Sequence, residues 1–469
     1  MGSTFHGLHT AYKGLMAQQQ ALKTTGHNIA NANTPGYSRQ RVNFSASQAF
    51  PAPGMNAPSI PGQIGTGVDV DSVQRIRNEF LDQQFRGEHG KAGYWEKVHE
   101  SYIRMEDIMN EPTDHGLSSV MDEFWQALQV LADNPNDNSA REVVRQQGEA
   151  LADTYNYMQS SLRTVQNELD KELEASVQKV NNLMQQIQDL SNDINRMEPH
   201  GYVPNDLYDQ RDRLIDELSE YLPIEVERVE GAGGNSHPIA MGPIQIHLTD
   251  ANGDRIGNGP IVGGEDGYVA IEYPEVADGE PREITIAGVT DLGNLGKISA
   301  LHQSVHDTYP NMMGDLQDMM SSFVDAFNGV HNDGSEEPVD FFNFSGDTLE
   351  LSEAIRENIQ NINAGSSGSS DGSNALLLAA EIDELAEGYR TIIGQMAVKT
   401  SNAARNDYNS QSRLSTIDGN RMAMSAVSLD EEMVNMITFQ HAYNAAARQI
   451  TVIDEMLDTI INRMGVVGR

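Results

Sequence analysis

Near the end of the chain, Met436, Phe439, Tyr443, Ala446, Ile450, Ile453, Leu457, Ile460 and Met464 follow one another at alternating steps of three and four. That spacing sets nine apolar or small side chains along one face of a helix, the pattern of a coiled-coil seam. Ser428 and Glu431 form a capping box ahead of it, Asp430 to Glu432 put negative charge on the first turn, and Gly465 stops it. The predicted helix has about 35 residues and a length of about 50 Å. Such a stripe is incomplete by itself, because an isolated helix draws most of its stability from packing one face. A second stripe opens the chain: Phe5, Leu8, Tyr12, Leu15, Gln19, Leu22, Gly26 and Ile29 repeat the alternation with two weak positions. Two unfinished stripes at opposite ends predict pairing with each other, with neighbouring copies, or with both.

Charge divides the chain in the same place. The first 68 residues carry Lys13, Lys23, Arg39 and Arg41 but no Asp or Glu, so all 69 acids lie beyond them. The basic N-terminal stripe therefore complements the acid-rich last helix. The N-terminal stripe stops at Asn31-Ala32-Asn33-Thr34-Pro35-Gly36, where Pro35 disfavours helix at Thr34 and Gly36 can turn left-handed. Pro51, Pro53, Pro58, Pro61 and the glycines from Gly54 to Gly67 read as an extended, turn-rich connector.

Over its 469 residues the chain has 31 Lys and Arg against 69 acids, a formal charge of −38. A surface of that sign repels nucleic acid and anionic lipid, which excludes a general polyanion binder. Without cysteine there are no disulfides, thiolate metal sites or thiol nucleophiles. Aromatic residues make up only 6%, which is lean for a compact enzyme and suits an elongated protein. The bases are mostly Arg, as suits alkaline or salty surroundings, although drift in genome composition would produce the same bias. No apolar run reaches the ~18–20 residues of a membrane-spanning helix. His6, His9 and Lys13 interrupt any signal-peptide core, so export by the general route is not expected, while export with an uncleaved N-terminus stays open.

Between the ends lie long helices. Leu162, Val165, Leu169, Val180, Leu183, Ile187, Leu190, Ile194 and Met197 belong to a pattern running from Arg141 to Pro199-His200-Gly201. Another helix is predicted from about Asp206 to Tyr221, with others at 297–331 and 376–417. Period-two alternation at Ile224–Val229, Ile244–Leu248 and Glu283–Ile286, with a turn at Asn252-Gly253, predicts strands. The Ser-rich stretch Gly365–Gly372 reads as a flexible connection. The fold class is therefore mainly α: an elongated helical rod with paired N- and C-terminal coiled-coil helices and a small β-rich inserted domain. Its predicted parts are 1–68 with 428–469 (terminal helices), 69–223 with 296–427 (rod) and 224–295 (insert).

The segment from Gly7-Leu8 through Asn28-Ile29-Ala30-Asn31-Ala32-Asn33-Thr34-Pro35-Gly36-Tyr37-Ser38-Arg39-Gln40 resembles the N-terminal signature of bacterial flagellar rod, hook and hook-associated proteins. Those proteins share an Asn-Ile-Ala-Asn core, a Thr-x-Gly turn and an aromatic. The stretch from Phe439 to Leu457 resembles the last helix of the hook-associated protein 1 family. Internal segments at Tyr208–Leu218, Phe327–His331 and Asp371–Ala375 are similar to the same family. Nothing familiar matches 224–295.

The resemblance implies a non-enzymatic structural protein without cofactor or metal, exported uncleaved through the flagellar type III pathway to the extracellular flagellum. It implies self-assembly, in a ring or a helical array, as an adaptor at the hook–filament junction. The implied partners are hook protein, the second junction protein and a cytoplasmic chaperone on the C-terminal helix; neither nucleic acid nor membrane is expected as a partner. The assembly and export motif would be Asn28 to Asn31 with Asn33 to Tyr37, and the two terminal stripes would be the assembly seams. The alternatives are a sibling axial protein, or an exported hydrolase carrying axial-type termini.

Enzyme-like motifs are weak. Gly368-Ser-Ser-Asp-Gly372 fits G-x-S-x-G, but a nucleophile elbow needs a strand before it and a helix after it, and this match lies in a Ser/Gly tract where chance matches are expected. Ser176-Val-Gln-Lys179 lacks companion motifs. His302 and His306 could hold half a metal site, yet no third ligand is evident. Asp250, Asn252 and Asp254 imitate a calcium loop that has Arg255 and Ile261 where Gly and Glu belong.

Overall fold

The computed structural model describes residues 4–51, 62, 64–109, 116–229, 236–265, 267–274, 282–333, 338–365 and 371–463. Helix α1 (Thr4–Ala30) leads into an arm of two antiparallel strands, β1 (Gln40–Ala46) and β2 (Val68–Arg75), paired from Gln40 opposite Arg75 to Ala46 opposite Val68 with a register shift between Asn43 and Phe44. The connector expected at 51–67 thus joins two paired strands, although 52–61 and 63 lie outside the described residues. The boundary drawn at 68/69 falls at the start of β2.

Four helices follow: α2 (Glu79–Met109), α3 (Leu117–Asp133), α4 (Asn138–Met197) and α5 (Asn205–Tyr221). With 60 residues, α4 extends about 90 Å. Its Asp137 cap accepts a hydrogen bond from the backbone N–H of Ser139. Beyond α4 comes a short 3₁₀ turn containing Pro199, and Gly201 follows in the left-handed region, at φ 81°.

The insert forms one sheet ordered β3 (Ile224–Arg228), β4 (Ile244–Thr249), β6 (Val262–Gly264), β7 (Gly267–Tyr268), with β5 (Arg255–Ile256) also pairing β4. The Asn252-Gly253 turn joins β4 to β5, as Gly253 at φ 88° permits. Glu283–Ile286 takes part only in isolated bridges, Thr285 with Glu272 and Ile286 with Val289, instead of the predicted strand. The reason is local: Ala287 and Gly288 both have positive φ and turn the chain at once. The sheet is no detached knob. Ile244, Ile246, Leu248 and Val262 are buried in the same core as Leu183, Met184 and Ile187 of α4. Asn181 of α4 exchanges hydrogen bonds with both backbone groups of Ile271, at 2.8 and 3.2 Å.

The predicted helix at 297–331 is α6 (Gly296–Gln303), a π turn at 304–308 and α7 (Tyr309–Asn332). A hairpin of β8 (Phe342–Ser345) and β9 (Thr348–Leu351) and a short helix α8 (Glu353–Glu357) lead to α9 (Ser373–Ser425) and α10 (Leu429–Asp458). Of the Gly365–Gly372 connection, 366–370 lie outside the described residues. Few aromatics are present, but they are concentrated: Phe124, Phe323, Phe327, Phe341 and Phe342 stack with ring centres 4.8 to 6.0 Å apart. The N-terminal half of α9 buries Leu378, Ile382, Leu385 and Tyr389 in this core, and its C-terminal half runs along α2.

Candidate functional site

Helix α1 lies antiparallel on α10. Gly7 sits against Ile453, Gly14 against Ala446, and Asn28 donates to Glu432, so each seven-residue step along α1 is matched by seven residues back along α10. Between these anchors the same row of α1 carries Ala11, Gln18, Ala21 and Thr25, of which Ala11, Ala21 and Thr25 are buried. The helices meet through glycine, alanine and threonine, and small contact residues bring helix axes close.

This row lies one residue before the one predicted on α1. The structure leaves Phe5 and Tyr12 exposed, at 63% and 51%, and Leu8, Leu15, Leu22 and Ile29 only half-buried. The correction has a simple cause: the predicted row was chosen for bulk, whereas close approach selects for its absence. On α10, Met436, Phe439, Tyr443, Ala446, Ile450, Ile453 and Leu457 are all half-buried, and Phe439 packs its ring edge-on to Phe44 of β1. Ile460 is exposed, and Met464 lies outside the described residues.

Asn28 ties the far end of this pair together. Its Nδ2 donates to the Gln40 carbonyl at 2.8 Å and to Glu432 Oε2 at 3.1 Å; its Oδ1 accepts from the Gln40 N–H at 3.0 Å and the Tyr37 hydroxyl at 2.8 Å. All four hydrogen-bonding positions of a buried amide are thereby filled. Arg39 completes the clasp, with Nε on Glu432 at 2.7 Å and Nη1 on Glu431 at 2.6 Å. Ser428 caps α10 through the N–H of Glu431, at 3.5 Å, while the Glu431 carboxylate turns outward to Arg39 instead of closing the capping box. Burial, with the carboxylates of Asp206, Asp209 and Glu432, pushes the Tyr37 hydroxyl well above its ordinary pKa.

The remaining signature residues build the turn. Asn31 Nδ2 donates to the His27 carbonyl at 3.0 Å, and Asn31 Oδ1 accepts from the Thr34 hydroxyl at 3.2 Å. Gly36 is left-handed at φ 78°. Ala30, Asn33, Thr34, Pro35 and Gly36 are exposed; Ile29 is half-buried.

From the clasp the network continues into α5, whose Tyr208–Leu218 segment stood out in the sequence without a stated role. The Ser38 N–H donates to Asp209 at 3.0 Å, Gln40 Nε2 to Asp206 at 2.9 Å, and Asn205 Nδ2 to the Val73 carbonyl at 2.8 Å. Arg75 of the arm meets Asp209 at 2.6 Å and Asp212 at 2.9 Å. Arg77 and Arg86 also reach Asp212, at 3.1 and 3.4 Å, and Arg421 near the end of α9 reaches Asp216 at 2.8 Å. Burial acts to raise the Asp212 carboxyl, but Arg77, Arg75, Arg86 and Arg211 outweigh it and hold the group well below the carboxylate range. For Asp209 burial prevails over Arg75, and its carboxyl is raised. Sequence reading missed Arg39, Glu432 and the α5 carboxylates as site residues. The available signal was the repeated Asp on one face of a short helix, at 209, 212 and 216, with arginines elsewhere to match.

The enzyme-like motifs are structural where they are described. Asp250 Oδ1 accepts the N–H groups of Asn252 and Asp254, an Asx turn. His302 and His306 stack 4.5 Å apart beside Tyr273. Ser176 is buried in α4 and Lys179 pairs with Glu217. Most of Gly368–Gly372 lies outside the described residues. Among the described residues no three His, Asp or Glu side chains form a metal-binding group, and no helix is long and apolar enough to cross a membrane.

The paired terminal helices, the first of which carries the Asn-Ile-Ala-Asn signature, fall in segments that match flagellar axial proteins. Residues 8–37 match the flagella basal body rod protein family, and residues 419–464 the flagellar basal body rod FlgEFG protein C-terminal family. Residues 102–342 match the flagellar hook-associated protein FlgK helical domain. Flagellar hook-associated protein 1 of Bacillus subtilis is 40% identical over the whole of both chains. Its counterpart from Salmonella typhimurium is 29% identical over 70% of this chain and 56% of its own length. The chain belongs to the flagellar hook-associated protein 1 family. A solved flagellar hook junction protein FlgK from Burkholderia pseudomallei aligns with TM-score 0.44 and 20% identity, over 56% of this chain and 47% of that one.

Proposed function

We propose that this chain is a non-enzymatic, self-assembling subunit that forms the adaptor between flagellar hook and filament. The observation that carries the reading is the full-length identity to a flagellar hook-associated protein 1, which extends through both terminal helices as well as the rod. The physical design agrees. One face of α10 is taken up by α1, while Leu429, Met433, Ile437, Val452 and Met456 remain exposed on the helix and Ile460 just beyond it. Apolar surface of this kind is available to neighbouring subunits and to a chaperone before export. Hook protein on one side and the second junction protein on the other are the partners this position requires. In this reading the chain is exported with its N-terminus retained, in keeping with His6, His9 and Lys13, which interrupt a signal-peptide core. The test is electron microscopy of cells lacking the chain: hooks that carry no filament are expected, and normal filaments on a strain without it would overturn the assignment.

A further inference from the structure

Between α2, α5, β3 and the 236–244 segment lies a cavity of about 950 Å³. Most of the charges lining it are matched. Arg75, Arg77 and Arg86 share the α5 carboxylates, Arg228 pairs with Glu79, and Arg255 with Glu225 and Glu227. Arg211 is the exception. Its side chain is wholly buried, and Nε, Nη1 and Nη2 have no hydrogen-bond partner among the described residues. Its guanidinium carbon stands 5.7 Å from the centre of the Tyr208 ring. Glu198 also lines the cavity, but its Oε1 already accepts from the Tyr208 hydroxyl at 2.5 Å and the Gly242 N–H at 3.1 Å.

A buried guanidinium without acceptors is unfavourable, and the planar fork of its donors fits a carboxylate with two parallel hydrogen bonds. The rest of the lining includes Val203, Val226, Pro238 and Ile239, which offer apolar surface to a short hydrocarbon tail. We propose that this cavity binds a small monocarboxylate, held in two-point contact by Arg211 with its tail against the apolar lining. The group is a free acid or an Asp or Glu side chain delivered by a second copy of the chain. Burial pushes the Arg211 guanidinium down to about 10, against the opposing pull of Asp212.

The experiment measures the thermal midpoint of the purified full chain in rising sodium propionate, against sodium chloride at equal pH and ionic strength. A ligand that binds only the folded state raises the midpoint with the logarithm of its concentration, so a rise in propionate beyond that in chloride is expected. Arg211→Met should remove the difference. Arg211→Lys, which keeps the charge but loses the fork, should shift the response to higher concentration and serves if the Met variant does not fold. Glu198→Gln should leave the response in place. N-acetylglutamic acid amide, whose one carboxylate is on a side chain, separates the sources: a response at lower concentration than propionate assigns the site to a neighbouring subunit, and an equal response to a free acid. Propionate acting no differently from chloride would overturn the proposal. So would an undiminished response in both Arg211 variants, or a response present only in Glu198→Gln, which would mean that Arg211 turns onto Glu198 in solution.

Discussion

Asn28 holds two backbone groups, a tyrosine hydroxyl and a carboxylate at once, and of these partners Gln40 and Glu432 are buried. Asn28→Ala would leave the Gln40 N–H and carbonyl and part of Glu432 unsatisfied, at about 1–3 kcal/mol for each buried group. We expect calorimetry to show earlier melting of the terminal helices, with the rod transition unmoved. Asp212 governs the other end of the same network. Its carboxyl is held low in the folded chain, so the stability it contributes is full above the ordinary carboxylate value of ~3.9 and is lost as pH falls toward the native value. Asp209, raised by burial, acts in the opposite sense: its contribution is present below the ordinary value and disappears as pH rises through the native one. Asp212→Asn should lower the unfolding free energy at neutral pH by about 3–5 kcal/mol, because Arg75, Arg77 and Arg86 lose a shared partner. It should also flatten the acid limb of a pH series; an acid limb as steep as in the parent would show that other carboxylates dominate.

At the scale of elements, the two terminal seams were unequally legible. On α10 the half-buried row from Met436 to Leu457 is made mostly of large residues, so hydropathy at three-four spacing locates that face. On α1 the contact row is Gly7, Ala11, Gly14, Gln18, Ala21, Thr25 and Asn28, residues with little or no hydropathy of their own, and the neighbouring bulky row drew the reading one position too far. The β1–β2 arm went unread because its alternation is largely polar, as in Val68-Asp69-Val70-Asp71. Helix α2 approaches α5 through Gly93, where a Cβ would lie 2.6 Å from the Glu220 carbonyl oxygen, a contact that carries no hydropathy signal. The two candidate rows on α1 make different predictions. Ala21→Leu should force α1 away from α10 at about 1–3 kcal/mol, as overpacking does, whereas Leu22→Ala should cost less, its side chain being only half-buried. Protection of the α1 amides from hydrogen exchange would rank the two, and the reverse order would restore the bulky row. On the facing helix, Ile453→Asp would set an unpaired carboxylate beside Gly7. The expected product is a soluble monomer with an intact rod that fails to assemble in sedimentation experiments.

For the whole molecule, a formal charge of −38 means that neighbouring copies repel until salt screens them. The Debye length shrinks from ~10 Å at 0.1 M to ~3 Å at 1 M, so light scattering should report stronger assembly as salt rises, and steady weakening would point to attractive ion pairs between subunits. The pairing of the ends also has a consequence in time. Asn28 and Glu432 are 404 residues apart in sequence, and a ribosome adding ~5–20 residues per second needs roughly 20–80 s to travel from one to the other. During that interval the rod can fold from local contacts and α1 can lie against the β1–β2 arm, with Lys13 on Asp69, but its α10 partner does not yet exist. The first helix made is thus the last to be completed, and a nascent or C-terminally clipped chain displays an open glycine and alanine groove that a finished one conceals. An antibody or protease directed at that groove would read the maturity of the molecule.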